Sequence, residues 1–271
     1  MTRSDTGSAI TKALVTHWTE YLIEAAALGV FMLAACAFGA AIEYPGSPVR
    51  QAVDDSFTRR VPMGIAMGLT AVTIVCSPWG QRSGAHLNPA ITLTFWRLGK
   101  VAPWDALFYC AAQLVGGALG VVIAVGLLGP WLSDPAVNYV ATVPGPAGTV
   151  VALVAETLIS FGLMTVILAV SNSRFAQFTP QCAGALIALY IVTEAPLSGM
   201  SMNPARSLGS ALFAGTWPSL WVYGVGPLLG MMLAALAYTR VRSAEAVRCA
   251  KLHHRNRQPC PFICHQSPVM A

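Results

Sequence analysis

The chain alternates long apolar runs with short polar ones, and six of the runs approach the roughly 20 apolar residues that one bilayer crossing requires. They cover 21–42, 61–78, 104–128, 150–170, 180–195 and 220–238, the fifth being the shortest. Runs of this length with few charges predict transmembrane helices. Two shorter apolar stubs follow Asn88 and Asn203, one between the second and third runs and one between the fifth and sixth. Each is too short to cross. Residues 1–17 are polar and are expected to form a flexible segment, and residues 241–271 form a basic tail.

The stubs share their approach. Ser83-Gly84-Ala85-His86-Leu87-Asn88-Pro89-Ala90 recurs as Ser198-Gly199-Met200-Ser201-Met202-Asn203-Pro204-Ala205, with the asparagines 115 positions apart (203 minus 88). Each copy has the order that starts a helix: a Ser/Gly turn, Asn at the N-cap, Pro at the first helical position, then apolar residues. A helix that begins inside a membrane-spanning chain is tolerated only where its open backbone groups face protein or a water-filled cavity. Two such half-helices therefore predict a pore, against the alternative of two unrelated capped helices.

The rest of the chain repeats with them. Each half reads span with a glutamate, span, half-helix, span: Glu24 with Met32 eight residues on matches Glu156 with Met164 eight residues on. Gly116 and Gly120 in the third span are matched to Gly226 and Gly230 in the sixth, both pairs having a spacing that lets helices approach closely. Three spans per half is odd, so the halves must be inverted in the membrane. Inverted repeats place the functional site near the midplane, where the broken helices meet. Asn88 and Asn203 are expected to face each other.

At these residues the chain resembles the aquaporin and aquaglyceroporin channels of the major intrinsic protein family, over about 18–240. The resemblance implies an all-α membrane fold of six transmembrane helices and two re-entrant half-helices, in inverted repeats of about 18–130 and 149–240. It implies passive conduction of water and other small uncharged solutes, exclusion of protons and ions, no cofactor, and a homotetramer with one pore per subunit. Asn88, Pro89, Ala90, Asn203, Pro204 and Ala205 become the pore motifs. Glu24 and Glu156 each accept hydrogen bonds from the irregular backbone ahead of their own half-helix, with Glu20 a competing candidate in the first copy. A proton-carrying role is the alternative for such intramembrane carboxylates.

The resemblance also implies a selectivity filter. Arg206, a cation at membrane depth, becomes its fixed arm, with Met200 and Ile191 placed by counting back from Asn203. On the second span, Ala66-Met67-Gly68-Leu69 gives Met67 by local pattern and Gly68 by counting from Asn88, because Ser77-Pro78-Trp79-Gly80-Gln81-Arg82 holds an extra residue. Narrow water-selective members carry His where Ile191 stands and an aromatic where Met67 stands. Glycerol-selective members carry Asp where Ser207 follows Arg206. The filter is thus expected to be wide and apolar, and a glycerol-type facilitator with little water selectivity is the alternative. His86 corresponds to a histidine of the inner pore, as a packing residue ahead of a pH gate. Glu194 is expected to be a solvated residue of the outer mouth, ahead of a partner for Arg206.

Composition narrows the alternatives. With 55% hydrophobic and 10% charged residues, a soluble fold would lack charges to cover its surface. The net charge of +5 follows topology, and no nucleic-acid face is expected. With the N-terminus inside, twelve of the sixteen Lys and Arg fall on the cytoplasmic side. The outer four are Arg50, Arg59, Arg60 and Arg206. Both termini are therefore expected in the cytoplasm of a multi-pass protein of the plasma (inner) membrane. Structural disulfides are not expected among the seven cysteines. The tail carries Cys249, His253, His254, Cys260, Cys264 and His265, whose spacing matches no familiar zinc finger, so no metal is assigned and the tail is expected to be disordered near the inner leaflet. A serine-protease reading of Ser198 and His86 has Pro196 where a glycine is needed and leaves the paired Asn-Pro-Ala copies unexplained. A closed junctional or scaffolding membrane protein is the remaining alternative.

Overall fold

The computed structural model describes residues 3–254 and 256–264. Among them the chain is helical, without strands: α1 (Arg3–Glu43), α2 (Pro48–Ala52), α3 (Ser56–Cys76), α4 (Pro78–Ser83), α5 (Pro89–Arg97), α6 (Pro103–Leu128), α7 (Pro130–Ser133), α8 (Thr149–Ser171), α9 (Thr179–Thr193), α10 (Ala195–Ser198), α11 (Pro204–Ala214) and α12 (Leu220–Arg242). Six of them, α1, α3, α6, α8, α9 and α12, are long and apolar enough to cross a membrane, α9 with the short turn before it. This is an integral, multi-pass membrane protein. Six crossings put both ends of the chain on one side, called here the terminal face. α5 and α11 are the two half-helices, entered from opposite faces.

Helix starts follow side-chain chemistry. Asn88 and Asn203 cap α5 and α11, accepting from the amides of Ala90 and Ala205, with Pro at the first helical position in both. Ser77 caps α4 through the Gly80 amide, which turns the extra residue of that loop into a short helix. Asp55 caps α3, and the Thr58 hydroxyl and amide hold its carboxyl below the usual carboxylate range. The expectation of a flexible start is corrected: α1 extends back to Arg3, with a break at His17 (φ −122°, ψ 16°). There the His17 ring and the Tyr21 hydroxyl both reach the Asp105 carboxylate at the start of α6, at 2.9 and 2.6 Å.

Within each repeat the first and third spans pack together, α1 on α6 and α8 on α12, while α3 crosses α9 between repeats. Glycine makes these approaches possible. A Cβ on Gly116 would stand 2.1 Å from the Ala25 carbonyl oxygen, and one on Gly230 would stand 2.2 Å from that of Thr157. Ala25 and Thr157 directly follow Glu24 and Glu156, so Gly116 corresponds to Gly230. This corrects the matching of Gly116 with Gly226 by one helical turn. The contacts these glycines permit lie within the chain.

The outer surface is apolar along the spans, with Leu22, Leu69, Leu158 and Leu189 exposed. Exposed Trp18, Trp79 and Trp96 lie toward the terminal face and Trp131, Trp217 and Trp221 toward the other, as the indole ring's mixed polarity favours at the two edges of a bilayer. Arg59 is buried and organises the first loop: it pairs with Glu43 at 3.0 Å and donates to the carbonyls of Val53 and Asp54.

Candidate functional site

The loops ahead of the half-helices share an unusual backbone. In the first, Gly84, Ala85 and Leu87 have φ of 97°, 55° and 51°; in the second, Gly199, Met200 and Met202 have 83°, 53° and 55°. Left-handed φ at non-glycine residues costs about 1–3 kcal/mol each and persists only when surrounding bonds impose it. The carboxylates impose it here. Glu24 accepts from the Ser83 hydroxyl (2.7 Å), the amides of His86 (3.1 Å) and Leu87 (2.7 Å), and Gln113 Nε2 (2.8 Å). Glu156 accepts from the Ser198 hydroxyl (2.7 Å) and the amides of Ser201 (2.7 Å) and Met202 (2.8 Å). Both are fully buried. Glu20, the competing candidate, instead pairs with Arg82 at 2.9 Å.

The imposed backbone turns the Leu87 and Met202 carbonyls toward the opposite half-helix. Asn88 Nδ2 donates to Met202 O at 2.6 Å and Asn203 Nδ2 donates to Leu87 O at 2.7 Å. Each asparagine is thus locked to the other repeat. With its oxygen used by the cap, each retains a second N–H. Both residues line one cavity of about 320 Å³ that also touches Glu43 and Arg60 at the end away from the terminal face and His86 and Leu252 near the terminal face. Pro89, Ala90, Pro204 and Ala205 follow as the first turns of the two half-helices.

Met67, Ile191, Met200 and Arg206 all line this cavity. Gly68 does not: it packs against α9, where an added Cβ would lie 2.5 Å from the Gly184 carbonyl oxygen. The structure therefore separates the two candidates on the second span. Arg206 Nη1 is buried and has no hydrogen-bond partner among the described residues. Ser207 faces away, its hydroxyl bonded to those of Thr142 and Ser201 at 2.7 and 2.6 Å. The expectation of a solvated Glu194 is corrected: it is buried, neither carboxylate oxygen has a hydrogen-bond partner among the described residues, and it forms no ion pair with Arg206.

Residues 11–238 match the family model described as Major intrinsic protein. The chain belongs to the major intrinsic protein family. Among curated relatives, Aquaporin NIP1-1 of Zea mays is 39% identical over 183 residues, covering 66% of this chain and 62% of that protein. Aquaporin NIP3-1 of Arabidopsis thaliana is 38% identical over 224 residues, covering 76% and 68%. The chain spans less than two thirds of the length of the first of these. In fold it is similar to the X-ray structure of the aquaglyceroporin from Plasmodium falciparum, with a TM-score of 0.68 and 23% identity over 85% of this chain and 99% of that one.

In this member of the major intrinsic protein family the terminal mouth is covered by the chain's own tail. The expectation of a disordered tail does not hold for its described part, while Arg255 and His265 lie outside the described residues. His86 Nε2 meets the Ala250 carbonyl oxygen at 2.9 Å, and its other ring nitrogen meets the Thr92 hydroxyl at 3.0 Å. Phe262 stacks on the His86 ring with centroids 4.9 Å apart and planes 5° apart. The Leu252 amide donates to Gly84 O and the Ile263 amide to Lys100 O. Lys251 is buried too, its ammonium bonded to Asn256 Oδ1 and the carbonyls of Gln258 and Pro259; burial pushes it below the usual lysine range.

Sequence reasoning missed several of these residues. Tyr109 and Tyr223 donate to the carbonyls of Ser83 and Ser198, both at 2.6 Å. Each lies seven residues before the matched glycine, Gly116 or Gly230, so a repeat alignment in the corrected register would have found them. Gln113 has Pro227 as its counterpart and carries no such signal.

Proposed function

We propose that this chain is a passive channel for water and other small uncharged solutes that excludes protons and ions. One observation carries the reading: Asn88 and Asn203, from opposite faces, are locked together on the wall of one cavity that also holds an Arg206 N–H with no partner among the described residues. Each asparagine sits at the positive end of a half-helix dipole. A water there accepts from both, turns its protons away, and interrupts the hydrogen-bonded wire along which a proton would hop. Arg206 repels cations entering from the outer end. Met67, Ile191 and Met200 complete an apolar constriction, and the flexible methionines adapt to the shape of a passing solute. Water and neutral solutes larger than water are the substrates this wall favours.

The charge distribution supports placing the terminal face, with both termini, in the cytoplasm. A homotetramer with one pore per subunit is the assembly expected of the family. Crosslinking in mild detergent tests it, and a conducting monomer would remove it.

Stopped-flow light scattering on proteoliposomes tests the channel. Water flux should exceed the lipid background with a low activation energy, and glycerol, urea or peroxide should also pass. Arg206→Val should raise proton or small-cation leakage about tenfold while water flux persists, because a fixed cation at a narrow desolvated site is the main barrier to other cations. Ile191→His should lower glycerol flux relative to water. Wild-type protein that passes water but none of the three larger solutes would refute the wide constriction.

A further inference from the structure

Four ligands of the tail converge at the terminal mouth. Sγ of Cys249, Cys260 and Cys264 and a ring nitrogen of His254 all lie within 4.8 Å of one another. Cys249 and Cys260 sulfurs are 3.3 Å apart, and His254 Nε2 is 3.0 Å from Cys264 Sγ. A tetrahedral zinc ion, with Zn–S of about 2.3 Å and Zn–N of about 2.0–2.1 Å, sets its ligand atoms about 3.5–3.8 Å apart, within this spread. A backbone amide is already aimed at one of the sulfurs, that of Lys251 at Cys249, two residues before it. Such N–H donors stabilise thiolates bound to a metal.

We propose that Cys249, His254, Cys260 and Cys264 bind a zinc ion that fastens the tail over the terminal mouth of the cavity. Three sulfurs and one imidazole suit zinc better than the oxygen-preferring cations, and a closed set of four is the pattern of a structural site. On the cytoplasmic side the thiols stay reduced and available, and zinc releases their protons to solvent on binding. The site's position gives it a consequence. Between Cys249 and His254 runs the segment whose Ala250 carbonyl meets His86 and whose Leu252 lines the cavity, and between Cys260 and Cys264 lies Phe262, stacked on His86. The two loops that the metal would join are the two that cover the mouth. An apolar Leu252 in a narrow passage obstructs water by dewetting as well as by volume.

The closure rests on the channel reading; the metal site does not. The full-length protein, purified with added zinc chloride and washed, should carry one zinc per chain by mass spectrometry of the metal. Cys249→Ser should lose it, and His254→Cys, which keeps four zinc ligands, should retain it and show that loss is not mere misfolding. Stripping zinc with a high-affinity chelator should raise water flux at least about threefold, and Leu252→Gly should show the raised flux with zinc still bound. Wild-type protein with no more zinc than Cys249→Ser, or one lighter by two hydrogens through a Cys249–Cys260 disulfide, overturns the site. Zinc at one per chain with flux unchanged by the chelator and by Leu252→Gly overturns the closure. A protein that binds zinc but stays at the lipid background in every form sinks the channel reading and leaves the metal site standing.

Discussion

Glu156→Ala is expected to remove the folded protein from the membrane. The carboxylate accepts from the amides of Ser201 and Met202 and from the Ser198 hydroxyl, and all three groups are buried. Without it these donors lose their partner in surroundings that offer no water. An orphaned buried polar group costs about 1–3 kcal/mol, so three cost roughly 3–9 kcal/mol, comparable to the whole stability of many domains. The left-handed backbone at Met200 and Met202 loses its restraint at the same time, and with it the Met202 carbonyl that holds Asn88. Detergent-solubilised protein should fall below about a tenth of the wild-type level, and any remainder should conduct at the lipid background. Glu156→Gln, which keeps one acceptor oxygen, should be less severe. A Glu156→Ala protein with the wild-type melting temperature would show that the loop holds its shape by other means. Full water flux in Glu156→Gln together with altered proton movement would instead revive the proton-carrier role.

Gly116→Ala should also destabilise the protein, by less, through one methyl group. That methyl would stand 2.1 Å from the Ala25 carbonyl oxygen and 2.5 Å from the Ala25 Cα, and backbone cannot swing aside as a side chain can. α1 and α6 would have to separate, shifting Glu24 and Gln113, which bond to each other across that contact. Overpacking of this kind costs about 1–3 kcal/mol, and a drop in melting temperature of about 5 °C or more is expected. Gly224→Ala is the matched control: it lies in a spanning helix, a Cβ there meets nothing within 4 Å, and it should be neutral or slightly stabilising. Equal melting temperatures for the two variants would mean that α1 and α6 are not as close as described.

The spans, the half-helices and their caps were legible from the sequence because each depends on local chemistry. A run of apolar residues long enough to cross a bilayer, and Asn-Pro at a helix start, act over one or two turns. The inverted halves were legible because a duplicated pattern with an odd number of spans allows no other arrangement. What needed the tertiary structure depends on distances between segments far apart in the chain. Met67 and Gly68 are neighbours in sequence, and only the crossing of α3 over α9 puts one on the cavity wall and the other against Gly184. The register between Gly116 and Gly230 became visible only through what each touches. Glu194 looked like a mouth residue because a carboxylate at a helix end is usually hydrated, and only the folded structure shows it buried. The tail is the largest departure. Its cysteine and histidine spacings fit no local pattern, because the surface that orders it, His86, Gly84 and Lys100, lies more than 160 residues earlier (250 minus 86 is 164), and only the folded cavity mouth brings the two together.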